Sequence, residues 1–212
     1  MSTEIIKQIN KLPVIVGVTG HRNVVKGDYH DVFNEIRKVL EEIAGLCKTK
    51  NAPSQASPIV LLTGLAQGAD MLAAKVAREI QIPYVAVLPC ELEQFKKSFD
   101  DEDALHQLDD YVANALDVIV VDDLENDFKN QPNQSKENYQ YRQVGIYLVQ
   151  HSSIIMALWD GKPTKSRFGC GTADVVQLAQ DADRPVIWIT CRRDGDGSEK
   201  NVTHRYLPPR NK

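Results

Sequence analysis

The 212-residue chain has no apolar run approaching the ~20 residues a membrane helix needs, so nothing in it reads as a spanning segment. Its opening stretch, MSTEIIKQINKLP, lacks the apolar region of a secretory signal. Cysteine is sparse. Cys47, Cys90, Cys170 and Cys191 are scattered, none forms a C-x-x-C, and no histidines cluster near them at zinc spacing. That pattern gives no metal or other cofactor site and reads as the reduced thiols of a cytoplasmic protein. Basic residues are not in excess: 25 Lys and Arg stand against 29 Asp and Glu, for a net charge of −4. A general nucleic-acid binder would show a basic surplus, so nucleic acid is not the expected partner, although a local cationic pocket remains open. There is no internal repeat, and the length suits one ample core rather than two.

What is present is an alternation of short apolar runs and amphipathic stretches. Pro13 to Val18, Ile59 to Leu62, Tyr84 to Leu88, Asp117 to Val121, Ile154 to Trp159 and Pro185 to Thr190 read as six strands. Helices are expected over 29 to 49, with Val32, Ile36, Val39, Leu40, Ile43 and Leu46 on the core face, and over 69 to 80, 139 to 150 and 172 to 181. Glu91 to Asp110 is acidic and reads as a solvated helical pair. The polar stretches 51 to 58 and 122 to 138 read as linker and loop. The sum is one α/β domain over 13 to 190, a mostly parallel sheet covered on both faces. An N-terminal extension (1 to 12) precedes it, and a polar, loosely ordered tail (191 to 212) follows.

Three glycine-bearing loops follow strands: VTGHRN at 18 to 23, TGLAQGAD at 63 to 70 and WDGKPTKSRFGCGTAD at 159 to 174. In a parallel sheet all three emerge on the carboxyl edge, where ligands meet helix N-termini. Together they suggest one composite pocket for an anion or nucleotide. In the first loop Thr19, Gly20, His21 and Arg22 bring donors suited to a phosphate, or else form a strand-ending turn with a solvated arginine. In the second, Gly64 and Gly68 bracket Gln67 and would let a ligand approach backbone amides. Asp70 could receive a ribose hydroxyl or cap the following helix. In the third, Trp159 is a core edge or a stacking platform, and Asp160 and Gly161 close the strand. Gly169 and Gly171 lead to Thr172, a candidate N-cap and anion seat, with Asp174 in the first helical turn. Lys162, Lys165 and Arg167 add charge that could gate a polyanion. Tyr139, Arg142 and Gly145 recur at three-residue spacing, and Arg142 could reach the pocket or pair with the acidic segment.

At these residues the chain resembles the SLOG superfamily, the Rossmann-like group that holds DNA-processing protein A and the LOG proteins. TGLAQGADMLAAKVA is similar to the S-G-x-A-x-G-[IA]-D signature of the DNA-processing branch, with Thr63 for serine. GCGTADVV resembles the second half of the P-G-G-x-G-T-x-x-E signature of LOG phosphoribohydrolases, and GVTGHRN the opening loop of stand-alone members. The resemblance implies a nucleotide or nucleotide-derived small molecule as ligand, often in a sensor role, for some members within prokaryotic defence systems. It leaves two alternatives: an N-glycosidic hydrolase of the LOG type, and a module for DNA or protein interaction. Homo-oligomerisation stays open. The LOG alignment places Arg167 and Phe168 at the proline and first glycine, and Val175 at the catalytic glutamate. Asp174 falls one residue early, a rotation of about 100° on a helix.

Overall fold

The computed structural model describes residues 12–47, 58–121, 135–164 and 171–208. Among them lie seven strands: β1 Val14–Gly20, β2 Ile59–Thr63, β3 Tyr84–Leu88, β4 Asp117–Val120, β5 Ile154–Trp159, β6 Val186–Thr190 and β7 His204–Leu207. Six α-helices accompany them: α1 Tyr29–Cys47, α2 Ala69–Glu79, α3 Leu92–Phe95, α4 Glu102–Ala113, α5 Lys136–His151 and α6 Thr172–Asp181. The sheet order is β4-β3-β2-β1-β5-β6-β7, parallel except for β7, which runs antiparallel to β6. The architecture is α/β with a mostly parallel sheet, as expected.

The central strands are continuous apolar runs because helices cover both their faces. One core layer joins them to α1, α2 and the α3–α4 region, and a second joins them to α5 and α6. Helix α1 buries Val32, Ile36, Val39, Leu40 and Ile43, the expected stripe. Leu46 departs from it and is 88% exposed. The reason is length: 19 residues of helix rise about 28 Å, whereas a five-residue strand spans about 17 Å, so the last turn overruns the sheet. Helix α2 is buried almost all round, and its alanines 69, 73, 74 and 77 allow that close approach.

Two expectations are corrected. The acidic segment is not merely solvated: Phe95, Leu108 and Tyr111 are buried in the core, and Tyr84 donates from its hydroxyl to the Tyr111 carbonyl. Its few apolar residues are spaced to face one way, which composition alone hides. Residues 191–208 are not a loose tail. Asp28 accepts two hydrogen bonds at 2.8 Å from the Arg192 guanidinium, His204 lies 2.6 Å from Glu35 of α1, and β7 completes the sheet.

Candidate functional site

Strand β1 stands between two halves of the sheet. β2, β3 and β4 extend from one side of it, and the chain then returns to lay β5, β6 and β7 on the other. The helices after β1 to β3 pack on one face, and α5 and α6 on the opposite face. Connections leaving β1 and β5 therefore diverge, and a crevice opens at the carboxyl ends of the two strands. Open α/β sheets bind ligands at such a switch point. A cleft of about 320 Å³ occupies it here.

The first loop lies at the centre of this cleft. Gly20, the last residue of β1, pairs in register with Leu158, and a Cβ there would stand 2.3 Å from Cβ of Ala69, so the strand end wedged between β5 and α2 has room only for glycine. His21 donates its backbone N–H to the Leu158 carbonyl at 3.2 Å. Its ring nitrogen Nε2 is 3.1 Å from both the amide nitrogen and Oδ1 of Asp160, and Nδ1 is 3.4 Å from the Thr172 hydroxyl. Burial lowers the His21 pKa, with Arg193 adding to that effect and Asp160 opposing it, so the ring is neutral at pH 7. Asp160 takes a further hydrogen bond at 2.8 Å from Arg193 and one at 3.0 Å from the Lys162 amide. Burial disfavours its charge, but the Lys162 amide, His21 and Arg193 outweigh that and hold its pKa below the ordinary value. The Asp160 side chain is only 2% exposed. It braces His21 and Arg193 from behind the cleft wall. Arg22 is exposed, donates to the Tyr141 hydroxyl, and lies 4.6 Å above that ring.

The second loop folds back on the first. Ala69 donates its N–H to the His21 carbonyl at 3.0 Å, and Thr63 Oγ1 accepts from Leu65 N–H at 3.3 Å. Asp70 lines the cleft behind Gly64, yet its side chain is buried, and Oδ1 has no hydrogen-bond partner. Desolvation raises its pKa to about 7, against the opposing pull of the Ala66 amide, the Arg22 charge and the Gly64 amide. A carboxyl group poised near neutrality in a cleft is a recurrent mark of a working site.

In the third loop, Trp159 forms part of the cleft wall, donates from its indole to the Lys162 carbonyl at 2.8 Å, and packs on Trp188 with centroids 5.0 Å apart. It serves both as core edge and as cleft surface. Gly171, Thr172 and Ala173 bring the start of α6 into the same wall.

Thus Thr19, Gly20, His21, Arg22, Gly64, Asp70, Trp159, Gly171 and Thr172 converge on one cleft. Other expected contacts do not. Gly68 has φ +90°, and a Cβ on it would lie 2.2 Å from the Arg22 carbonyl oxygen, so it serves the crossing of two loops rather than a ligand. Gln67 is half-buried and outside the cleft wall, and Gly161 lies beneath Trp188. Asp174 turns back to accept from the Gly171 amide at 2.9 Å, which fixes the helix start. Thr172 is the first helical residue rather than the N-cap, which is Gly171. Arg142 lines a separate hollow of about 210 Å³ between α5 and α6. Of the row Tyr139, Arg142 and Gly145, only Gly145 meets the cleft, within the i, i+3, i+4, i+7 stripe Tyr141, Val144, Gly145 and Leu148. Gly169, Lys165 and Arg167 lie outside the described residues.

Sequence reasoning missed Tyr141 and Arg193. The available signal for Arg193 was its place just after β6, on the same carboxyl edge as the three loops. Burial pushes the thiol of nearby Cys191 up to about 12, which disfavours the thiolate form. Among the described residues no group of His, Cys, Asp and Glu could hold a metal ion.

No family model and no curated protein matches the sequence. Solved structures do resemble the fold. DNA processing protein A from Streptococcus pneumoniae aligns with a TM-score of 0.52 at 18% identity, over 84% of this chain and 50% of that one. DNA processing protein A from Helicobacter pylori, described for its single-stranded DNA binding mode, aligns at 0.50 and 15%, over 84% and 66%. The molybdenum cofactor (Moco) carrier protein of Chlamydomonas rheinhardtii aligns at 0.45 and 18%, over 84% and 78%. The chain spans about half the length of the pneumococcal protein it resembles. The two alignments to DNA processing protein A show that the fold is Rossmann-like.

Proposed function

We propose that the cleft binds a nucleotide or nucleotide-derived small molecule and that the chain acts as a sensor of it. The observation that carries this reading is the convergence of the three glycine-bearing loops on one cleft at the β1/β5 switch point. Arg22 and the start of α6 supply an anion seat, and Tyr141 and Trp159 supply flat apolar surface for a base. At about 320 Å³ the cleft falls within the range of small-molecule sites.

Binding without turnover is favoured by how the carboxylates are used. Asp160 is tied to His21 and Arg193, Asp174 to the Gly171 amide, and Val175 is buried against Gly145. A carboxylate that acts in catalysis must lie within hydrogen-bond reach of the reacting group, and neither aspartate is free to do so. Among the described residues Asp70 alone is a carboxyl with one buried unpartnered oxygen and a pKa raised to about 7, which is the observation that keeps a glycosidic hydrolase as the second reading. A DNA-binding role would rest on the likeness in fold to DNA processing protein A, and the net charge of −4 speaks against it.

The test is a thermal-shift screen of nucleoside mono- and polyphosphates, followed by titration of Arg22→Ala. A ligand at a hundred times its dissociation constant adds about 2.7 kcal/mol of stability. Arg22→Ala is expected to weaken binding by roughly 1.5–3 kcal/mol, the range for a charged hydrogen bond, with the fold intact. Unchanged affinity in that variant removes the phosphate seat. Release of adenine from adenosine monophosphate near 1 s⁻¹, an ordinary enzyme rate, that is lost in Asp70→Asn would replace the sensor with the hydrolase.

A further inference from the structure

A second cavity, of about 340 Å³, adjoins the first. It lies past the end of β3, between the α3 region and the start of α5, with Cys90, Phe95, Lys97 and Lys136 in its wall. Pro89 and Tyr141 line both cavities, so the two share a common wall. Tyr141 is built as a partition. Arg22 covers its ring and takes its hydroxyl at the first cleft, while the same ring packs at 6.4 Å against Phe95 of the second cavity. The charge of the second cavity is unusual for its surroundings. It is set in the acidic stretch 91 to 110, where Lys96 is paired with both Glu93 and Asp109. Among the described residues Lys97 and Lys136, by contrast, have no ion-pair partner, and Glu137 is the single acidic residue in that wall. Two lysines against one glutamate leave the described wall of this concave site cationic, which favours an anion there. The Arg22 guanidinium stands on the first-cleft side of that shared wall, against Tyr141, and suits a phosphate that leads toward the second cavity.

We infer that the ligand is bipartite, a dinucleoside polyphosphate or a similar dinucleotide, with one nucleoside in the switch-point cleft, its phosphates passing Arg22 and Tyr141, and its second half in the Lys97/Lys136 cavity. This rests on the nucleotide reading of the first cleft. It is tested by calorimetric titration of the full chain and of the double variant Lys97→Ala/Lys136→Ala with two probes, adenosine monophosphate and diadenosine tetraphosphate. Both lysines are exposed, so the variant keeps the fold. The parent is expected to bind the dinucleotide at least tenfold more tightly than the mononucleotide. The double variant should lose most of that gain while binding the mononucleotide within twofold of the parent. Equal affinities in the parent, or a gain that survives in the double variant, overturn the inference while leaving the first cleft as a mononucleotide site. Failure of both probes to bind the parent overturns the nucleotide reading and the inference with it.

Discussion

Asp70 carries an energetic cost that pH reveals. Its folded-state pKa, raised by burial to about 7, exceeds the ordinary 3.8, so the folded chain binds the extra proton between those values. Stability therefore falls as pH rises from about 4 to 7, and the cost is complete above 7. At 1.36 kcal/mol per unit the ceiling is about 4 kcal/mol. Asp70→Asn keeps the shape without the charge. Its Tm relative to the parent should be higher at pH 8 than at pH 5, by calorimetry at both values. An equal difference at the two pH values contradicts the buried, proton-carrying carboxyl. Gly68 makes a different residue-scale prediction. At φ 90° and ψ −119°, with the Arg22 carbonyl where a Cβ would go, Gly68→Val should cost more than roughly 2 kcal/mol in urea unfolding. Stability near the parent value would show that the two loops do not cross as described. The sequence marked Gly68 as special through its place in a glycine loop, but not why. The partner that demands glycine lies 46 positions earlier in the chain, at Arg22, and only the parallel pairing of β1 and β2 brings the two loops together.

Among the elements, the C-terminal segment joins fold to site. The side chain of Asp28 is 1% exposed and held by Arg192, with Lys200 at 3.9 Å, and the next residue, Arg193, reaches Asp160 under the cleft. The Arg192 hydrogen bonds are the main cause that holds the Asp28 pKa below its ordinary 3.8, although burial opposes them. A depressed carboxylate stabilises the fold above that value and ceases to do so as pH falls through the folded pKa. Asp28→Asn should accordingly lower Tm at pH 7, and its deficit should shrink below about pH 4. A deficit that stays constant down to pH 3 contradicts the ion pair. The inner strands β1, β2, β3 and β5 were legible because a strand buried on both faces is a plain apolar run, and the less buried β4 and β6 still show as short apolar runs. β7, His204-Arg205-Tyr206-Leu207, was not: it is an edge strand, polar on its open side and held by His204 to Glu35. Its signal lies in partners, not in its own pattern. The cleft-facing row of α5 failed for a related reason. Rows on a helix lie about 100° apart per residue, so choosing Arg142 over Tyr141 turns the chosen face by that much, and only the sheet beneath decides.

For the whole molecule, the return of the chain from β4 to β5 places the crevice beside β1. That crossover makes one site of loops separated by 139 residues, as in the contact of His21 with Asp160. The loops could be read as a set from their glycines and their place after strands. The assignment of individual side chains to ligand, cap or brace could not, because it depends on which atoms meet across the sheet. The described residues include no helix long and apolar enough to cross a membrane. The net charge of −4 leaves the cations of the cleft, Arg22, Lys162 and Arg193, as local features. The most direct test is therefore one of place: amide chemical shifts of the isotope-labelled chain during titration with adenosine monophosphate. Saturable shifts should centre on Gly20 to Arg22, Gly64 to Ala66 and Gly171 to Ala173, the walls of the switch-point cleft. Those amides staying fixed, while shifts appear elsewhere or not at all, would contradict a nucleotide site at the β1/β5 switch point.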